Sequence, residues 1–142
     1  MLPRPEPGLV IRYNFLWGRE AKAERQNARK SLPCAIVTSV RQSGNKLIVT
    51  VAPITHSPPA NSAAIEIPPA VKSSLGLDEE KSWIVADELN SFIWPGPDLE
   101  STHRGSTTMM YGRLPKPLAV ALLRAVLMAI RTGQATITKR TE

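Results

Sequence analysis

Short apolar runs separated by turn-forming residues constrain this chain more than any other feature. Runs of this length, rich in β-branched residues, are typical of strands, and they lie at residues 8–16, 34–40, 46–52, 63–67, 82–87, 89–94 and 135–139. The one longer apolar stretch, residues 118–131, predicts a helix with Pro117 in its first turn and Gly133 at its C-terminal cap. The pattern predicts a mainly β (α+β) fold, a small barrel or strongly curved sheet with a C-terminal helix.

Composition excludes several classes of protein. The 142 residues are enough for one domain, residues 1–142. Cys34 is the single cysteine and there are two histidines, so neither an internal disulfide nor a Cys- or His-rich metal cage is expected. The longest apolar run, residues 118–130, contains Arg124 and is too short to cross a bilayer. Residues 1–8 lack the apolar centre of a secretory signal, so we expect a cytoplasmic protein that does not contact a membrane.

The basic residues are unevenly distributed. The net charge is +6, but residues 51–100 carry eight acidic residues and only two basic ones, so both ends of the chain are strongly basic. A patch built from both ends would attract a polyanion such as RNA or DNA. The alternative is a solvated basic surface without a partner.

Much of this basic charge lies in the polar stretch 17–32. Its cations are Arg19, Lys22, Arg25, Arg29 and Lys30. A loop of this length is unusual in a small domain, and arginine holds two phosphate oxygens at once. The stretch is therefore interpreted as a mobile basic loop over a nucleic-acid groove. It also contains good helix formers and no breaker, so a solvated helix is the competing interpretation.

Thr55 and His56 end a predicted strand and open a loop, where active-site groups commonly lie. Thr55 could donate to a phosphate, and His56 could transfer a proton near neutral pH. The alternatives are a threonine that caps the turn and a histidine that faces water. Trp17 could stack on an RNA base, or be an ordinary core aromatic.

Three further segments carry expectations about structure or exposure. Arg124 and Arg131 share one face of the predicted helix, and nearly everything else on it is apolar. The helix should therefore be buried on most sides, against the sheet or a second subunit. Residues 95–117 are rich in Gly, Pro, Ser and Thr and predict irregular chain. The acidic turn at residues 78–80 predicts a solvated surface.

No phosphate-binding Gly-rich loop, nucleophile elbow or metal-spaced cluster is found, so any catalysis should use no cofactor and no metal.

The order of several short motifs resembles one protein family. The motifs are Gly8-Leu-Val-Ile, Ser31-Leu-Pro-Cys-Ala-Ile-Val, Val51-Ala-Pro-Ile-Thr-His, Ala64-Ile-Glu-Ile-Pro, Leu77-Asp and Ser82-Trp-Ile-Val-Ala-Asp-Glu-Leu. In this order and spacing they resemble the PemK/MazF family of toxins from type II toxin–antitoxin systems. The resemblance covers residues 8–99.

The resemblance implies an SH3-like β-barrel with a C-terminal helix, here residues 117–132, usually assembled as a homodimer. It also implies a growth-inhibiting, metal-independent endoribonuclease (a nuclease of the hydrolase class) that cleaves single-stranded RNA. In such enzymes the ribose 2′-hydroxyl attacks its own phosphodiester. The expected partners are single-stranded RNA, a second copy, and a cognate antitoxin whose acidic tail covers the basic groove.

Carried over by position, Thr55 matches the active-site threonine of the family. The catalytic arginine of the family stands before the proline that opens the second strand, and that position is Leu32 here. Arg29 and Lys30, just upstream, are the candidate replacements, with His56 for proton transfer. Arg19, Lys22, Arg25 and Trp17 are the candidate RNA-binding residues. Leu32 favours one alternative, a catalytically inactive barrel that binds protein or nucleic acid. Another alternative is a barrel toxin directed at gyrase, as in the structurally related CcdB group.

Overall fold

The computed structural model describes residues 4–18, 29–42 and 44–140, with only the backbone of Arg29. Within these residues the strands are β1 (Leu9–Leu16), β2 (Arg29–Gln42), β3 (Lys46–Thr55), β4 (Ala64–Glu66), β5 (Trp83–Val85), β6 (Glu88–Trp94), β7 (Leu99–Glu100), β8 (Met110–Arg113) and β9 (Thr136–Lys139). The helices are α1 (Pro69–Ser74) and α2 (Lys116–Arg131). The predicted mainly β fold with a C-terminal helix is confirmed.

The strands form one open sheet around the long antiparallel pairs β1–β2 and β2–β3. Gly44 and Asn45, both with positive φ, make the tight β2–β3 turn. Strand β3 changes partner along its length, pairing with β6 at residues 47–51 and with β5 at Ile54 and Thr55. Strand β9 runs parallel to β6. In the described part of the chain these ladders do not close into a ring.

Side chains connect β1 to β6, which no ladder joins. Asn90 on β6 is fully buried, and its amide nitrogen donates to the Leu16 carbonyl at 2.8 Å. Its amide oxygen accepts the Leu16 N–H at 3.0 Å and Arg140 Nη1 at 3.0 Å. One amide thus satisfies both backbone groups of a β1 residue, as a strand partner would.

Alternation along β1 explains why both faces of the sheet are covered. Its odd-numbered residues contribute to an aromatic cluster with Phe92, in which Tyr13 stacks on Phe92 at 4.5 Å. Val10 points to the opposite face and joins a second cluster, with Leu122 and Val126 of α2. The period of two therefore buries β1 from both sides.

Two expectations need correction. Strand β2 begins at Arg29, because residues 29–32 continue the ladder opposite Leu16–Tyr13. Residues 19–28 of the polar stretch 17–32, for which a loop or a helix was expected, lie outside the described residues. Residues 95–117 contain β7 and β8, which pair with β1 despite their irregular sequence. Helix α2 buries Leu122, Val126 and Ala129 only.

The rest of α2 is not covered by the sheet, which was one of its two expected partners. Its exposed apolar residues are Val120, Leu123, Leu127, Met128 and Ile130. Burial against the sheet is therefore limited to one side of the helix. None of the described helices is long and apolar enough to cross a membrane.

Candidate active site at the end of strand β3

A cleft of about 350 Å³ lies where β3 ends, beside the start of β2 and the turn that follows α1. Its polar lining comes from Lys30, Thr55, His56, Ser57, Lys72, Asp78 and Ser82. Its apolar lining comes from Trp17, Leu32, Pro33, Ile54, Pro59 and Leu77. The volume is at the lower end of the range for small-molecule sites. The structure therefore brings three of the sequence-predicted catalytic residues, Lys30, Thr55 and His56, to one cleft.

Thr55 is the last residue of β3 and is half-buried. Its hydroxyl oxygen accepts the backbone N–H of Ser57 at 3.1 Å, so the turn-capping role expected as an alternative is present. Accepting a hydrogen bond leaves the hydroxyl proton free to donate. Among the described residues that proton has no acceptor, so Thr55 can cap its turn and still donate to an oxyanion in the cleft.

Lys30 is exposed on β2 and forms no ion pair with any described residue. Leu32 lies two residues further along the same strand and also lines the cleft. Residues two apart on a strand point to the same face, which explains why Lys30 and Leu32 share the cleft. The backbone of Arg29 pairs with Leu16, and its side chain is outside the described set.

The predicted RNA-binding residues are mostly outside the described residues, since Arg19, Lys22 and Arg25 all fall in the gap at 19–28. Trp17 is 8% exposed and packs edge-to-face against Phe15 at 5.3 Å. It reaches the cleft only as part of its wall. Its main role here is that of the core aromatic expected as the alternative.

His56 lies at the rim of the cleft between two carboxylates. Its side chain is 46% exposed, with Nε2 2.9 Å from Asp78 Oδ2 and Nδ1 2.9 Å from Glu80 Oε2. Only the imidazolium form carries a hydrogen on both nitrogens, so that form satisfies both contacts. The histidine is therefore anchored in the loop rather than simply facing water.

Lys72 was not identified from the sequence. Its side chain is 6% exposed, and Nζ lies 2.5 Å from Asp78 Oδ1 and 2.7 Å from Ser82 Oγ. The same ammonium donates to the backbone carbonyl of Glu80. The only signal in the sequence was one lysine in a short segment between Val71 and Leu75, both apolar.

The acidic turn is consequently more than a solvated surface. Asp78 contacts both Lys72 and His56, and the hydrogen bond from Lys72 is the main cause of the lowered pKa of the Asp78 carboxyl. Glu79 alone of the three acids is free of such contacts among the described residues. The turn is exposed, as expected, and Asp78 and Glu80 in addition contact His56.

His56, Asp78 and Glu80 each bring one potential metal-ligating atom within 4.8 Å of the others. Asp78 is already bound by the Lys72 ammonium at 2.5 Å, which would lie beside any cation placed there. Like charges at this distance repel strongly. We therefore treat the cluster as an internal ion-pair network and assign no metal to it.

Comparison of the chain with protein-family models, curated proteins and solved structures finds no match.

Proposed function

We propose that the cleft is the active site of a metal-independent endoribonuclease of the PemK/MazF type. The observation that supports this most directly is the convergence of Lys30, Thr55 and His56, from two strands and a loop, on one cleft. An unpaired ammonium, a hydroxyl with a free proton and an imidazolium are what RNA transesterification requires when no metal takes part.

The chemical step needs charge stabilisation and one proton donor. The ribose 2′-oxygen attacks the adjacent phosphorus and gives its proton to water, while the bond between phosphorus and the 5′-oxygen breaks. The electron pair of that bond stays on the 5′-oxygen, which takes a proton from the His56 imidazolium. The products are a 2′,3′-cyclic phosphate and a 5′-hydroxyl, and water returns a proton to His56.

Lys30 and Thr55 are assigned to the phosphate. The ammonium of Lys30 and the hydroxyl of Thr55 would bind the non-bridging oxygens, whose negative charge grows in the phosphorane. The Lys30 ammonium lies on the cleft wall and forms no ion pair with any described residue, which supports its assignment to this charge.

The test is cleavage of a long single-stranded RNA in EDTA. Thr55→Ala should reduce cleavage at least about 100-fold, because it removes one donor to the developing oxyanion. Thr50→Ala, on the same strand but away from the cleft, is the matched control and should cleave like the wild type. Equal cleavage by Thr55→Ala and Thr50→Ala would remove Thr55 from the mechanism.

Leu32 favours a second candidate function, an inactive fold that binds RNA or protein. Its half-buried side chain occupies part of the cleft wall where the family has its arginine. Leu32→Arg separates the two. A large gain in cleavage over an inactive wild type identifies a degenerate enzyme. Unchanged cleavage by an active wild type identifies an enzyme that relies on Lys30 or Arg29.

The proposal includes the partners and the closed architecture that the resemblance implies. An SH3-like barrel is supported by Asn90, whose amide links β1 to β6 in place of a ladder.

A cytoplasmic toxin should arrest growth on induction, and co-expression of its antitoxin should restore growth. A supercoiling assay tests the gyrase alternative, and inhibition of gyrase with RNA left intact would overturn the nuclease.

A second copy of the chain would fit the exposed side of α2. Val120, Leu123, Leu127 and Ile130 recur at intervals of three, four and three residues, the spacing of a helix–helix seam. Sedimentation velocity tests this. Leu127→Lys should dissociate a dimer, whereas Ala121→Lys, which is exposed outside the seam, should not. A wild type that sediments as a monomer at all concentrations contradicts the dimer.

A further inference from the structure

Lys72 is the best-buried charged group of the cleft and takes no direct part in the proposed step. Its residue is 4% exposed, yet its ammonium has three acceptors, from Asp78, Glu80 and Ser82. A buried lysine is retained at low cost only if its charge is paired and its donors are satisfied. Here all three donors are used, so the ammonium is a fixed point in the structure.

Both residues that hold His56 are attached to that fixed point. The Asp78 carboxylate receives Lys72 on Oδ1 and faces His56 with Oδ2. Glu80 binds Lys72 through its backbone carbonyl and faces His56 with its carboxylate. The side chains of Asp78 and Glu80 are 55% and 71% exposed, so without the lysine their positions would be set mainly by solvent.

Helix α1 makes this anchor rigid. Leu75 is 3% exposed and packs in the core beside Val71, on either side of Lys72 in sequence. The Leu77 N–H bonds back to the Lys72 carbonyl at 3.0 Å, which turns the chain from α1 towards the acidic residues. The route from the hydrophobic core to His56 therefore runs through Lys72 and then through Asp78 and Glu80.

We propose that Lys72 is a positioning residue that orients the His56 imidazolium, through Asp78 and Glu80, for proton donation to the leaving 5′-oxygen. This inference rests on the proposed function. Lys72 does not touch the reacting atoms. It fixes two carboxylates, and these hold the general acid in one orientation.

The test compares two leaving groups on the same RNA. Once the wild type has shown where it cleaves, a substrate with sulfur replacing the bridging 5′-oxygen at that position is prepared. The sulfur leaves as a thiolate and needs no proton, so general-acid catalysis is not required for it. Lys72→Met should lower kcat/KM on the ordinary RNA about 10- to 100-fold, part of what a general acid contributes, and leave the sulfur substrate within about threefold of the wild-type rate.

Three variants control the result. Lys81→Met, an exposed lysine of the same turn, should cleave both substrates like the wild type. Lys72→Arg should restore part of the lost activity, because it keeps a cation at this point. In a His56→Gln background, Lys72→Met should cause no additional loss, because the positioned group is already gone.

The sulfur substrate also serves as the control for folding, because an unfolded variant would fail to cleave it too. If Lys72→Met does not fold, Asp78→Asn breaks the same link with the lysine in place and should give the same selective loss. Glu79→Gln, in the same turn but without contact to His56, is its matched control. Equal losses on both substrates in Asp78→Asn or Lys72→Met would overturn the positioning role.

A structural measurement separates this inference from the nuclease proposal. In the wild type, NMR should show one set of His56 ring protons with NOEs to the side chains of Asp78 and Glu80. Lys72→Met should broaden the ring signals and weaken those NOEs, and Lys81→Met should not. Unchanged NOEs in Lys72→Met refute the inference even if RNA is cleaved. If the wild type cleaves neither substrate, the proposed function fails, whatever the NMR spectra show for Lys72.

Discussion

Replacing Asn90 by alanine tests whether one side chain substitutes for a missing strand pair. The residue is fully buried and its amide makes three hydrogen bonds, two with the Leu16 backbone and one with Arg140. A neutral hydrogen bond contributes about 1 kcal/mol net and one to a charged group about 1.5–3 kcal/mol. Asn90→Ala should therefore lower the free energy of unfolding by about 3–5 kcal/mol, because the backbone N–H and C=O of Leu16 both lose their hydrogen-bond partner.

Urea denaturation followed by tryptophan fluorescence measures this loss, at unchanged m-value. Ser91→Ala is the matched control, because Ser91 is the next residue on β6 and its side chain makes no hydrogen bond within the described chain; we expect a change of about 0.5 kcal/mol or less. A loss below about 1 kcal/mol in Asn90→Ala would show that water replaces the amide. The link between β1 and β6 would then not be structural.

Three further predictions concern a carboxylate, two glycines and the cysteine. The Lys72 hydrogen bond lowers the pKa of Asp78, so its stabilisation is present above the ordinary carboxyl pKa and is lost as pH falls through the lowered one; pH-dependent urea titrations should show Asp78→Asn less stable than the wild type at pH 7 and equal to it in strong acid. Gly18→Ala would place its Cβ against Thr136 Cγ2 and should lower the free energy of unfolding by about 1–3 kcal/mol in the same titration. Gly44→Ala, whose Cβ lies within 4 Å of no described atom, tests φ strain alone. Burial raises the pKa of the Cys34 thiol, so a disulfide reagent should label it only after unfolding, and rapid labelling of the native protein would contradict that burial.

The local sequence pattern predicted a strand or helix correctly where the segment itself contains the alternation and the end signals of that element. Strand β3, strand β6 and helix α2 lie within a few residues of the predicted ranges, because alternation and end signals are local properties. The start of β2 was missed because residues 29–32 are mostly polar and become a strand only opposite β1. Strands β7 and β8 are short edge strands and owe their conformation to the same partner.

The candidate site could likewise be predicted only in part. Thr55 and His56 stand at a strand end, which the sequence marks, and both line the cleft. Lys72 could not be found in this way, since nothing in its neighbourhood in the chain reveals that a turn six to ten residues later supplies its three acceptors. Buried polar networks depend on tertiary contacts, which no local pattern encodes.

The structure also bears on the main difference between this sequence and the PemK/MazF motif, which is Leu32 at the position of an arginine. Leu32 removes a phosphate-binding cation from the proposed site only if position 32 is considered alone. Strand β2 extends back through Lys30, and the two-residue period puts Lys30 and Leu32 on one face, about 6–7 Å apart along the strand. A lysine side chain spans a comparable length, so its ammonium can reach a phosphate that an arginine at position 32 would bind. Lysine binds as a point charge rather than as a bidentate fork, so the nuclease that we propose would orient the phosphate less strictly than one with an arginine at position 32.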